Sequence, residues 1–161
     1  MSVRVGEGID RHRLEAGRRL MLAGVEIEHS HGLAGHSDGD AVLHALCDAL
    51  LGAVALGDLG QLFSDKAEEN RDRASADFLR AVMERVVGAG YRLGNADLTI
   101  MAEAPRLAPH VDAMRASVAK LCGCEPQRIS IKATRGEGLG PEGRGEAITV
   151  RAVVLVEEES S

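Results

Sequence analysis

The sequence predicts an α+β fold, a mixed β-sheet covered by helices, in a single domain spanning residues 1–161. Three observations lead there. Segments that alternate apolar and polar residues stand towards both ends of the chain, while runs with helical spacing fill its middle. The resulting order, β-β-α-α-β-α-β-β, mixes runs of strands with helices, where a doubly wound fold would alternate them. With 161 residues, 45% of them hydrophobic, the chain is long and apolar enough to bury a core.

The elements follow in order. Val3 and Val5 alternate with polar residues before Gly6, which predicts a strand running toward Asp10. "RLMLAGVEIEH" sets Leu20, Leu22, Val25 and Ile27 on a second strand, broken at Gly24. A first helix runs from Asp38 to Leu56, with Ser37 or Asp38 as its N-cap and acids in its first turn. The charged stretch "GDLGQLFSDKAEENRDRAS" reads as a mobile surface loop. A second helix, Ala74 to Ala89, buries Phe78, Val82 and Val86 and stops at Gly90. "DLTIMAE" alternates as a strand. Pro105 and Pro109 bracket a turn, and Pro109 starts a third helix bearing Val111, Met114, Val118 and Leu121. "RISIKAT" and "AITVRAVVLVEE" are the last two strands, joined by the glycine-rich "RGEGLGPEGRGE".

Composition narrows the function. A net charge of −6 argues against binding nucleic acid through a basic surface. One Tyr, two Phe and no Trp leave too few aromatics for a base-stacking platform. The core must be aliphatic and alanine-rich, which suits close helix packing or an extensive subunit interface. No uninterrupted apolar run reaches the roughly 18 residues of a membrane span, so no membrane association is expected. Cys47, Cys122 and Cys124 are odd in number and no signal segment precedes the first strand, which predicts a reducing, cytoplasmic setting. Cys122-Gly-Cys124 lacks the two-residue spacer of the usual metal or redox pair and reads as packed thiols.

Three segments carry candidate chemistry. "AGHSDGDAVLHALCDALLG" opens with His36, Ser37, Asp38 and Asp40, which a helix built only for packing does not need. His44 shares a polar strip with Asp40 and Asp48, which could orient its imidazole, although a lone helical histidine is more often structural. In "GIDRHRL", Asp10 and His12 point to the same side of an extended chain. With His44 they make two imidazoles and a carboxylate, a set that zinc accepts with a fourth position left for substrate. A competing pair, His44 with Cys47, lacks further ligands. In "KATRGEGLGPEGRGE", glycines let backbone N–H groups approach an anion, and Lys132, Arg135 and Arg144 add positive charge. Glu137 there suits a magnesium ion that also binds phosphate oxygens. The same loop also reads as a long hairpin turn with solvated charges.

With these segments assembled, the chain resembles the 2-C-methyl-D-erythritol 2,4-cyclodiphosphate synthases of the non-mevalonate isoprenoid pathway over nearly its whole length. The resemblance is carried by "GIDRHRL", "AGHSDGDAVLHALCDALLGAVALGDLGQLFSD", "GNADLTIMAEAPRLAPH", "KATRGEGLG" and "GRGE". It implies that Asp10, His12 and His44 bind zinc, and that His36 and Ser37 contact the methylerythritol phosphate end of the substrate. Asp58 and Gly60 match a hydroxyl-binding turn, and Phe63 to Ala67, Asp65 among them, a flexible flap. Ala102 to Ala108, including Pro105, Arg106 and Leu107, match a cytidine pocket. Thr134 to Glu137 match the segment for the diphosphate and its magnesium or manganese, and Arg144 follows near a trimer axis. His36 and Arg135 fall at the catalytic, phosphate-stabilising positions.

The implied protein is a homotrimer with active sites between subunits and a fold resembling the bacterial chorismate mutase type. The implied reaction is a CMP-forming lyase step, in which the substrate's own 2-phosphate attacks its β-phosphorus. No activated Ser or Cys is then required. The chain departs from the family pattern at Arg135, usually threonine, at Glu7, usually neutral, and at Pro141, usually phenylalanine; its flap, "FSDKAEEN", lacks the usual proline- and aspartate-rich composition. Two other readings use the same residues: a metal-dependent phosphohydrolase, and a non-catalytic trimer tied by zinc, which three ligands suit less well than four.

Overall fold

The computed structural model describes residues 1–64 and 66–159. Its sheet has five strands: β1 (Val3–Ala16), β4 (His31–Leu33), β5 (Tyr91–Met101), β6 (Ile129–Thr134) and β7 (Ala147–Glu158). They lie in the order β4-β1-β7-β5-β6. β1 and β5 flank β7 antiparallel, whereas β5 and β6 run parallel, so the sheet is mixed as expected. The parallel pair needs a crossover, and helix α4 (Val111–Cys122) supplies it.

Helices α1 (Ala41–Ala53), α3 (Ser75–Gly88) and α4 cover the sheet. α1 is the central one, with ten buried residues, among them Leu43, Leu46 and Leu50. It lies directly on β1 because Gly6 and Gly8 have no side chains. A Cβ on Gly6 would collide with the carbonyl of Ala49, and one on Gly8 with that of Ala45. The alternation along β1 then leaves Val3, Val5 and Ile9 on the opposite face, at 56%, 66% and 58% exposed. Val153 of β7 joins them, and Glu7 pairs with Arg151 at 2.7 Å on the same face.

Several sequence expectations are corrected. Strand β1 runs on through Asp10 and His12 to Ala16, because pairing with β7 holds it as far as Arg13. The run from Leu20 to Ile27 is two strands, β2 (Leu20–Leu22) and β3 (Val25–Ile27), in a separate hairpin. Its two-residue turn has φ +56° at Ala23 and +74° at Gly24, the twist that tight hairpins favour. The first helix spans Ala41–Ala53, not 38–56, and has no acid in its first turn. Its N-cap is Asp40, whose carboxylate accepts the Leu43 N–H, not Ser37 or Asp38. The supposed surface loop contains a short helix, α2 (Leu59–Leu62), and a 3-10 turn at Glu68–Asn70. Pro109 lies in a 3-10 turn, Ala108–His110, that leads into α4. The glycine-rich connection includes a one-turn helix, α5 (Gly140–Gly143), whose buried Glu142 bonds to Thr149 and, at 2.9 Å, to Arg11.

Candidate metal centre and its two cavities

β1 carries Asp10 and His12 on its helix-covered side, two and four residues beyond Gly8, which lets α1 approach. α1 carries His44 in its first turn. The close packing of strand on helix therefore brings three side chains together that are far apart in sequence. His12 Nε2 stands 2.7 Å from Asp10 Oδ2, and His44 Nδ1 stands 3.3 Å from both. Ligands about 2.0–2.1 Å from a tetrahedral zinc stand roughly 3.3 Å apart, so two of the three edges already have that length. Among the described residues no other group of three or more His, Cys, Asp and Glu side chains converges in this way.

The far side of each imidazole supports the same assignment. His12 Nδ1 lies 2.5 Å from the Ala34 carbonyl, which can only accept, so that nitrogen carries a hydrogen and the neutral ring has its lone pair on Nε2. His44 Nε2 lies 2.8 Å from Ser75 Oγ, which leaves Nδ1 facing the triad. Burial alone would raise the Asp10 carboxyl, but when the His12 and His44 rings are protonated their hydrogen bonds and positive charge outweigh it and hold the pKa at about 2. Burial also opposes a charge on His12; Asp10 and the Ala34 carbonyl outweigh it and raise that pKa. An anionic carboxylate with two inward lone pairs is a donor set that fits a divalent metal.

Two acceptors expected for His44 are engaged elsewhere. Asp40 is fully buried and accepts N–H groups from Ala23, Gly24 and Leu43 at 2.9, 2.7 and 3.1 Å. Asp48 Oδ1 accepts the Leu59 N–H at 2.7 Å and so positions α2 at the rim of the site. Ser75, at the start of α3, takes the place of both. Only its position at a helix start hinted at a polar role. The competing thiol, Cys47, is fully buried, and burial pushes its pKa well above the usual range, so it stays a neutral core residue.

The triad opens into a cavity of about 230 Å³ that His36, Ser37, Gly60 and Phe63 also line. Phe63 packs on Phe78 with ring centroids 4.9 Å apart, and the Arg73 guanidinium lies 5.0 and 5.1 Å from the two rings. Asp58 accepts the Gln61 N–H at 2.8 Å as the cap of α2, and does not line that cavity. Asp65 lies outside the described residues. A second cavity, about 390 Å³, is formed by Ala102, Pro105, Arg106, Leu107, Ala108, Thr134 and Arg135, with Glu103 and Ala133. None of the described residues lines both cavities. Glu103 accepts the Gly136 N–H at 3.1 Å, which ties the glycine-rich loop to the second one. Glu137 is exposed, at φ +53°, and Arg144 pairs with Glu146 at 2.9 Å; neither lines either cavity.

Residues 3–157 match the YgbB family. The chain is 53% identical to a 2-C-methyl-D-erythritol 2,4-cyclodiphosphate synthase from Alcanivorax borkumensis, over 99% of each. Its fold matches a solved 2C-methyl-D-erythritol-2,4-cyclodiphosphate synthase in a CDP-bound form, with a TM-score of 0.89 and 42% identity over 96% of this chain and 100% of that one. It also matches the bifunctional IspDF from Campylobacter jejuni, with a TM-score of 0.95 and 36% identity over 99% of this chain but 43% of that longer one. A match that runs through both cavities and the metal triad, at this identity, means that the chain belongs to the YgbB family.

Proposed function

We propose that this chain converts 4-diphosphocytidyl-2-C-methyl-D-erythritol 2-phosphate to 2-C-methyl-D-erythritol 2,4-cyclodiphosphate. The observation that carries the reading is the convergence of Asp10, His12 and His44 at the mouth of a cavity lined by His36 and Ser37. In the reaction, an oxygen of the substrate's 2-phosphate forms a bond to the β-phosphorus. The bond from that phosphorus to the bridging oxygen breaks, and CMP leaves with the oxygen. The nucleophile is already an anion, so the protein need not activate one.

The protein's task is to fold a flexible polyanion into a ring. Well-oriented intramolecular reactions gain about 7–11 kcal/mol from proximity, and two binding cavities that grip opposite ends of one molecule exploit this. Ser37 and Gly60 hold the methylerythritol end in the cavity beside the triad. Ala102 to Ala108 hold the cytidine end in the other, a role supported by the relative solved with CDP. His36 and Arg135 donate hydrogen bonds to charge that develops on phosphate oxygens. Bound zinc at the triad would polarise a phosphate oxygen, and magnesium or manganese at Glu137 would neutralise charge on the diphosphate.

Assembly belongs to the same proposal. The two cavities share none of the described residues within one chain, and the face of β1 and β7 exposes Val3, Val5, Ile9 and Val153. Both features support a homotrimer, of the chorismate mutase-like type, whose active sites combine the first cavity of one subunit with the second of its neighbour. Three free thiols support a cytoplasmic location, and no helix among the described residues is long and apolar enough to cross a membrane.

The test is turnover in water labelled with oxygen-18. Ring closure yields a cyclic product and CMP that both lack the label; a labelled phosphate would mean hydrolysis and overturn the reading. His44→Ala is expected to lose CMP release and bound zinc together while its circular dichroism stays native.

A further inference from the structure

We propose that Asp38 and Ser75 form a relay behind the metal centre that directs the His44 hydrogen away from the ion. This rests on the metal reading of Asp10, His12 and His44. Neither residue touches the site where an ion would sit; both are positioning residues.

Ser75 is fully buried, and its hydroxyl has three polar neighbours: Asp38 Oδ1, His44 Nε2 at 2.8 Å and Ser37 Oγ at 3.4 Å. A hydroxyl has one hydrogen to give. The Asp38 carboxylate has none, and its Oδ1 already accepts the Asp40 N–H at 3.1 Å. The Ser75 hydrogen therefore goes to Asp38, and a lone pair of Ser75 Oγ faces His44. The imidazole must then be the donor at Nε2, and the neutral ring has its lone pair on Nδ1. That nitrogen is the one 3.3 Å from both Asp10 Oδ2 and His12 Nε2. The arrangement mirrors His12, whose rear nitrogen donates to the Ala34 carbonyl. Each imidazole thus has its inward nitrogen chosen by what stands behind it.

The same carboxylate has a second duty. Asp38 Oδ2 accepts the Ser75 backbone N–H at 3.1 Å, closing the start of α3, whose own N-cap, Ala74, offers no side-chain bond. α3 carries Phe78, a wall of the metal cavity. One aspartate therefore sets both the helix and the imidazole.

Two near-isosteric variants separate these duties. Ser75→Ala removes the hydroxyl but keeps the backbone N–H to Asp38, so the helix start survives. Asp38→Asn keeps the shape, but the amide cannot accept in both places. With its oxygen toward the Ser75 hydroxyl, its NH₂ confronts the Ser75 N–H. Turned round, it donates to Ser75 Oγ and pushes the hydroxyl hydrogen toward His44 Nε2, which favours the tautomer with Nδ1 blocked.

The experiment measures zinc dissociation constants of the full-length protein against a chromogenic chelator. Visible spectra of the cobalt(II) form and melting curves of the metal-free form accompany it. Each single variant should bind zinc about 10–100-fold more weakly and perturb the cobalt bands. The double variant should lose no more than the worse single, because Asp38 acts on the metal through Ser75. An unchanged zinc affinity for Ser75→Ala, with or without a lowered melting temperature, would overturn the relay and leave Ser75 a packing residue. Additive losses in the double variant would overturn the order Asp38–Ser75–His44. A wild-type chain that binds no zinc would remove the metal reading itself, an outcome distinct from either.

Discussion

Asp40 has no exposure to solvent, yet it sits among the most apolar residues of the chain. It is tolerated because one carboxylate satisfies three backbone donors that would otherwise be buried and orphaned: Leu43 in the first turn of α1, and Ala23 and Gly24 in the β2–β3 turn. It thereby fastens the hairpin to the helix that bears His44. An asparagine there keeps at most part of this set and presents an NH₂ to a backbone N–H. Asp40→Asn is expected to lower stability by about 1–3 kcal/mol, read from urea unfolding. Burial, working against those three donors, pushes the Asp40 pKa up from 3.8 to about 6. The folded state thus binds the proton more tightly than the unfolded chain does. The stability this adds is fully present below 3.8 and is lost as pH rises through about 6. The wild type should therefore lose stability relative to Asp40→Asn across that window, and the penalty of the substitution should shrink as pH rises. A penalty that grew with pH would contradict the raised pKa. The sequence favours Ser37 or Asp38 as the cap, and spacing does not reveal that Asp40 is the residue that turns inward, because all three residue types are good caps.

At the scale of elements, the contact between β1 and α1 creates the candidate metal centre. Glycines at 6 and 8 are destabilising choices for a strand taken by itself. They are needed because the backbone of α1 passes where their side chains would be. Gly8→Ala would drive a Cβ into the Ala45 carbonyl and against the Asp48 side chain. Overpacking costs about 1–3 kcal/mol, and backbone neighbours that cannot rotate away put this case at the upper end. Because Asp10 and His44 lie just beyond the contact, zinc affinity should fall along with the melting temperature. Gly52→Ala, on α1 itself, is the contrasting variant: the new Cβ would sit 3.9 Å from the Glu7 carbonyl, an ordinary contact. It should stabilise the protein by up to about 1 kcal/mol through helix propensity. A Gly8→Ala protein as stable as the wild type would mean that the two elements do not meet this closely. The existence of α1, α3, α4 and the terminal strands was legible in their periodicity. The hairpin at Ala23–Gly24, the extension of β1 to Ala16 and the turns at 59–62 and 140–143 were not, since each depends on a partner distant in sequence or is too short to show a period.

For the whole molecule, one face of the sheet has no long helix over it among the described residues. Val5, 66% exposed, stands opposite Leu155 on β7, with Glu7 and Glu157 along the same face. If subunits close over this face, a charge at its centre is costly, because it would be buried without a partner. Val5→Asp should reduce the assembly to a monomer near the 17.0 kDa chain mass and abolish turnover, as measured by sedimentation and CMP release. A monomeric wild type that was fully active would refute the shared active site.

By itself, the sequence determined the fold class, the core-facing stripes of the helices, and Asp10, His12 and His44 as a candidate ligand set. These follow from periodicity and ligand chemistry, which are local properties of residue type and spacing. Only the tertiary structure decided that Ser75, not Asp40 or Asp48, stands behind His44, and that the two cavities share none of the described residues within one chain. Those facts depend on which atoms meet across elements more than thirty residues apart, and hydrogen-bond direction is set by that meeting, not by sequence order.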